Sequence, residues 1–236
     1  MYTKDIVILA KSLKNNGVCI GGLDIENGKW VRPVKTIPSE SFKQTEIDKL
    51  CINFKRKFKL LDIIKMTFNK RTPLNFQPEN ELLDLNTPWI LKGTYIEKLD
   101  KLVDLDKNQL MDWSIQFYSR QHDKIPATAF VESPATNSLQ FIKLTKEQNN
   151  PKIIYRKQNS WSGVVWNPRL EFTYKDKPHN LVITDLSYPK LSYEPNEIEK
   201  LINACFVSIG FGAAWKPPSE SFGLQHYKLI AGIIIE

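Results

Sequence analysis

Two stretches of the chain set aromatic rings among positive charges. The first is Lys29-Trp30-Val31-Arg32, with Lys35 close behind and the cluster Lys55, Arg56, Lys57 and Lys59 further on. An indole face accepts any base, and ammonium or guanidinium groups hold a phosphate backbone, so this mixture suits a nucleic-acid strand. The second runs through Lys152, Arg156 and Lys157 to Trp161, Trp166 and Arg169 across Ser160-Trp161-Ser162-Gly163. It reads as a mobile loop able to close on a single strand and is the better candidate for a contact surface. For both stretches a bland alternative stands beside the functional one: tryptophans in the core, Arg32 a satisfied structural cation, and a solvated basic face.

Motifs for catalysis are sought and not found. His122, His179 and His226 are isolated and lack paired metal-ligand spacing. Cys19 lies in an apolar strand pattern, which favours an inert buried thiol over a nucleophile. Gly210-Phe211-Gly212-Ala213 lacks the Lys-Ser/Thr ending of a phosphate loop. Asp62, Lys65 and Glu79 do not form the compact carboxylate and lysine set of a metal-dependent nuclease. No catalytic residue, metal or cofactor is therefore expected.

Composition is that of a globular protein, with 42% apolar and 25% charged residues. Three distant cysteines, Cys19, Cys51 and Cys205, argue against a disulfide framework and a zinc site. The N-terminal apolar run is too short for a signal peptide, and the C-terminal one is too short to span a bilayer, so a cytoplasmic location with no membrane association is expected. The formal charge of +7 is unevenly placed: residues 1–75 hold 15 Lys and Arg against 7 Asp and Glu, residues 76–134 hold 6 against 10, and residues 135–236 hold 12 against 9. Basic ends make nucleic acid the first partner to consider.

The elements that would position these residues are mostly strands. Residues 4–10, 18–25 and 29–34 are rich in β-branched side chains, and Asn27-Gly28 between the last two predicts a tight type I′ hairpin. Trp30 and Arg32 then share one face of the return strand, and Pro33 suggests an edge or a strand end. Residues 39–59 read as polar and irregular, 61–68 as a strand and 72–80 as a connection. In the middle, Asp106 and Gln109 form a capping-box pattern ahead of Leu110, Trp113 and Phe117, which predicts a helix. Strands are expected at 152–157, 169–174 and 181–184, and a helix from Pro195 with Ile198, Leu201, Ile202 and Cys205 on its buried stripe. The last strand, 227–235, is so continuously apolar that it must be central. The fold class is mainly β with helical insertions (α+β): two small barrels, at 1–80 and 135–236, joined by a helical, acidic middle at 81–134.

Five segments then carry a likeness. Ile6-Val7-Ile8-Leu9-Ala10-Lys11-Ser12, Gly17-Val18-Cys19-Ile20-Gly21-Gly22 and Gly28-Lys29-Trp30-Val31-Arg32-Pro33-Val34 resemble the start of the bacterial dual OB-containing domain family. Gln77-Pro78-Glu79-Asn80 and Tyr227-Lys228-Leu229-Ile230-Ala231-Gly232-Ile233-Ile234 resemble its later signatures. The resemblance implies two OB-like barrels and a nucleic-acid-binding role in prokaryotic conflict and defence loci. It carries no catalytic residues.

The leading expectation is thus a module for single-stranded or structured DNA or RNA, acting as an accessory or sensor component beside an effector encoded elsewhere. A protein-interaction subunit with incidental basic charge, docking on a partner encoded nearby, is the first alternative. A nucleotide-handling enzyme assembled from dispersed residues such as Cys19, His122 and Asp62 is the second.

Overall fold

The computed structural model describes residues 1–14, 17–36, 40–104, 123–160, 163–216 and 223–236. The chain divides into two compact units: residues 1–102 with 136–138, and residues 103–135 with 139–236. The first unit therefore continues well beyond residue 80. The helix expected over 106–117 and His122 lie outside the described residues, as does Trp161.

The first unit contains β1 (Tyr2–Lys14), β2 (Gly17–Asp24), β3 (Trp30–Val34), α1 (Gln44–Leu50), β4 (Asp62–Arg71), β5 (Asn80–Leu83) and β6 (Ile90–Thr94). Its strand order is β1-β2-β3-β5-β4, closed by a β1–β4 pairing, with β6 added on β4. β3 and β5 run parallel and every other pairing is antiparallel. One long strand serves two neighbours because β1 pairs with β4 over its first half and β2 over its second, with a register shift between Ile8 and Ala10. Gly22 sits opposite Ile8, where a Cβ would come within 2.1 Å of the Val7 carbonyl oxygen. Only a bare backbone fits at that approach.

Alternation sends Ile6, Ile8, Val18, Ile20, Val31, Ile64, Met66, Phe68 and Leu83 into one core. α1 supplies Ile47 and Leu50 to it, and Phe42 and Phe58 meet Trp89 edge-on at 6.5 and 5.9 Å. This helix falls in the stretch expected to be irregular. Its box runs from the Lys43 amide, which donates to the Glu46 carboxylate at 2.7 Å.

Two features around β3 depart from expectation. Five residues, 25–29, join β2 to β3, and of Asn27 and Gly28 only the glycine has positive φ. Asp24 holds the loop by accepting from the Glu26 amide and the Asn27 side chain, which outcompetes the two-residue turn. Pro33 sits inside the sheet: Arg32 donates its N–H to Glu79 of the β5 side, so Pro33 faces the side where the β2 ladder has already ended at Val31.

The second unit contains β7 (Lys124–Pro126), α2 (Ala129–Glu132), β8 (Leu139–Thr145), α3 (Lys146–Asn149), β9 (Lys152–Ser160), β10 (Gly163–Tyr174), β11 (Lys177–Ile183), β12 (Glu199–Leu201), β13 (Ala204–Phe211) and β14 (Gln225–Ile235). The order is β12-β9-β10-β11-β14-β13-β8, with β7 on β14. β11 and β14 are parallel, as β3 and β5 are in the first unit. β8 pairs with β13 and β9 with β10, so together they do what β1 does alone, broken by α3 and by Asn150 at φ 47°.

The apolar C-terminal strand is central, as its composition requires. The helix expected from Pro195 is absent: residues 195–198 are irregular, Glu199–Leu201 form β12, and Cys205 belongs to β13. The helical spacing of Ile198, Leu201, Ile202 and Cys205 is overridden by pairing of the Phe206-Val207-Ser208-Ile209 run with β8 and β14. β9 and β10 pair continuously from Gly163↔Ser160 to Glu171↔Lys152, and residues 161–162, at the centre of the loop expected there, lie outside the described residues. The two-residue turn with both central φ positive is instead Lys175-Asp176, between β10 and β11.

Candidate nucleic-acid interface

Three strands of the second unit, β9, β10 and β11, present a polar outer face. Directly opposed residues share a face, so Lys152, Glu171 and Asn180 form one row across all three strands, and Arg156 with Asn167 forms another. Leu170, Phe172 and Leu181 alternate inward and are buried. Arg156 Nη2 donates to Glu171 Oε1 at 2.9 Å, and Lys152 Nζ reaches Glu199 Oε1 at 3.3 Å and Glu171 Oε2 at 3.9 Å. The Asn180 amide donates to Glu171 Oε1, and its oxygen accepts from Arg169 Nε. A cavity of about 310 Å³ opens here, lined by Lys152, Arg156, Glu171, Thr173, His179 and Asn180 among others. His179 stacks on Phe172 at 5.1 Å beneath it.

Arg169 is less available than its sequence position suggests. Burial draws its guanidinium below its ordinary range while Asp123, 3.8 Å away, opposes that shift. Lys228 is 2% exposed, and burial pulls its ammonium down to about 7 against the attraction of Asp123, with Lys177 adding to the fall. Burial likewise lowers His226, whose Nδ1 lies 2.6 Å from the Gly212 carbonyl oxygen.

The remaining candidates separate sharply. Trp30 is 6% and Trp166 is 8% exposed, so neither offers an open face to a base. Trp166 is held through paired backbone hydrogen bonds with Leu191, and Lys157 lies 6.0 Å from its ring. Arg32 donates from Nε to Glu79 at 3.2 Å and from Nη2 to the Ser138 hydroxyl at 2.7 Å, and Glu79 also accepts from the Ser138 amide and hydroxyl. It ties residue 138 to the first unit. Arg56 forms two 2.6 Å bonds to Asp62, which is fully buried and also accepts from the Lys59 amide and Thr94. Burial opposes ionisation of Asp62, yet these donors hold its carboxyl below the usual range. Both guanidinium groups are thus engaged by carboxylates of the first unit. Lys55, Lys57 and Lys59 are exposed, with no ion-pair partner among the described residues.

Sequence reasoning misses one cluster. Trp215 is 56% exposed and its backbone pairs with Gln225 through hydrogen bonds of 2.8 and 3.1 Å. Its ring lies 5.8 Å from that of Tyr227, over which Lys124 Nζ sits at 5.3 Å. The only local signal is the dipeptide Trp215-Lys216. Of the dispersed enzyme candidates, Asp62 is committed to Arg56, neither it nor Cys19 lines the 240 Å³ cavity beside Lys4, Asp5 and Asp24, and His122 lies outside the described residues. Among the described residues no His, Cys, Asp and Glu group has the arrangement of a metal site.

Each unit has five barrel positions in the order 1-2-3-5-4-1, with antiparallel neighbours except for the parallel 3–5 pair, which defines an OB-type barrel. The chain belongs to the dual OB-containing domain family, which matches residues 4–233. No curated protein and no solved structure matches it. Among the described residues no helix is long and apolar enough to cross a membrane.

Proposed function

We propose that this protein binds single-stranded nucleic acid on the outer face of β9, β10 and β11. The observation that carries the reading is the 310 Å³ cavity flanked by Lys152 and Arg156 on the strands equivalent to the first three of an OB barrel. That face and its flanking loops are where OB barrels take oligonucleotides. Glu171 and Glu199 partly neutralise the two cations, but Arg156 and its partner are solvent-accessible, and an exposed pair of this kind yields readily to a phosphate. Lys157, exposed on the same hairpin, alternates to the other face, opposite Trp166, and is not part of this surface. We place the module beside an effector encoded elsewhere, as an accessory or sensor component of a bacterial defence system.

The test is equilibrium binding of labelled single-stranded DNA, single-stranded RNA and duplexes across a salt series. Single strands should bind with affinity falling linearly in log salt, and Arg156→Ala should lower that slope by about one. Failure of every single strand to bind at low salt would remove the reading. A second reading rests on the edge strand β12 and the segment before it, where Leu201, Ile198 and Tyr193 are exposed apolar side chains. They suit a protein partner, whose binding would persist at high salt.

A further inference from the structure

We propose that Trp215, with Tyr227 and Lys124, is a built platform that stacks one unpaired base of the bound strand. The inference rests on the single-strand reading above and adds a subsite to it.

Register puts the three side chains together. Gln225 and Tyr227 alternate to the outer side of β14, while His226 and Lys228 point inward and are buried. Tyr227 is directly opposite Lys124 on β7, and Trp215 is directly opposite Gln225. Trp215, Tyr227 and Lys124 thus rise from one outer surface. β14 is the sheet neighbour of β11, and Leu229 and Val182 are paired, so this surface continues the one bearing Lys152, Glu171 and Asn180.

The platform is fixed in place before any ligand arrives. Two backbone hydrogen bonds lock Trp215 to Gln225, and Gln225 pairs in turn with Pro126. A large ring left more than half exposed on a rigid backbone loses little conformational freedom when a flat ligand covers it. Aromatic faces accept every base, and a base within a duplex has no free face to offer. Charge favours a strand over an apolar partner: the Lys124 ammonium lies beside Tyr227, and the exposed Lys216 follows Trp215 directly. The predicted ligand is an unpaired base with its flanking phosphates, with little preference among the four bases.

The experiment measures binding of a single-stranded oligonucleotide to the wild type, Trp215→Ala and Trp215→Phe, each shown by its thermal melt to be folded. Trp215→Ala should weaken binding about 10- to 100-fold, and Trp215→Phe should stay within about threefold of wild type. A series of oligonucleotides, each with one abasic position, provides the cross-check. One such position should weaken the wild type, and Trp215→Ala should not sense it. Wild-type binding that Trp215→Ala leaves unchanged would overturn the platform and leave the cavity face standing. Loss of a protein partner's binding on Trp215→Ala, with strand binding intact, would overturn it in favour of a protein interface. If the wild type binds no single strand, the underlying reading fails first.

Discussion

The two barrels share a strand order and differ in what covers their outer faces. In the first, Val7, Leu9, Leu23, Trp30 and Val34 alternate away from the barrel core and are nonetheless buried. In the second, the equivalent strands expose Lys152, Arg156, Glu171 and Thr173, at least in part, around a cavity. One topology therefore supports a sealed face and an open one. The difference lies in side chains and in the interruption of the second barrel's first strand by α3. Function should divide along the same line, with stability tests falling on the first barrel and binding tests on the second.

The largest expected effect is on the first barrel. Arg56→Ala leaves the fully buried Asp62 carboxylate without its bidentate partner, which should cost about 3–5 kcal/mol of stability. Chemical denaturation would measure the loss, while strand affinity per folded molecule should not change. A large affinity loss with intact stability would return Arg56 to the list of ligand contacts. Because the folded pKa of Asp62 is depressed, its contribution is present above the unfolded carboxyl range and is lost as pH falls through the folded value.

The second barrel should respond to pH in the same direction, but over a higher range. Lys228 has a folded pKa of about 7, well below its ordinary value, because it is buried; Asp123 opposes the shift and Lys177 increases it. Between these two values the unfolded chain keeps a proton that the folded chain has lost, so stability rises with pH across that window. Below it, both states are protonated and the full cost of a buried ammonium remains. Lys228→Met should flatten this rise, a change on the order of 3 kcal/mol between about pH 6 and about pH 9. An unaltered slope in the variant would show that Lys228 keeps its proton in the folded state.

Much of the β architecture is legible in local composition: the β-branched runs mark β1 to β3, and the apolar C-terminal run marks a central strand. Less legible are the features that depend on distant pairing. The parallel matches β3–β5 and β11–β14, and the joint role of β8 and β9, are set by contacts that no local pattern encodes. The same distinction governs the tryptophans. Alternation places Trp30 and Arg32 on one face, but whether that face is covered depends on tertiary packing. Trp215 follows no strand pattern, and its exposure is decided by a pairing with Gln225 across residues 217–222. Lys152 and Arg156, by contrast, are legible because they stand four residues apart on a strand-like run and so share one of its faces.

Smaller effects should sharpen the account of the open face. On the proposed reading Arg156→Ala should lower single-strand affinity by roughly 1 kcal/mol, since the half-exposed side chain would supply one phosphate contact. Glu171→Gln should act in the opposite direction, raising affinity about two- to threefold, because it removes a carboxylate that competes with phosphate for Arg156 and Lys152. Anisotropy titrations at fixed salt measure both. If the two variants weaken binding alike, Glu171 orders the cavity and does not compete for its cations.

The smallest effect tests whether the first barrel contributes to binding at all. Lys55, Lys57 and Lys59 are exposed, lie outside the open face and have no ion-pair partner among the described residues. Solvent-exposed charges of this kind act over roughly a Debye length and chiefly accelerate encounter. Reversing all three to glutamate should slow association several-fold at low salt, leave the dissociation rate unchanged and lose its effect as salt is raised. Stopped-flow measurements over a salt series separate these rates. A faster dissociation that persists at high salt would mean that these lysines touch the strand, and the sealed barrel would then share the binding surface with the open one.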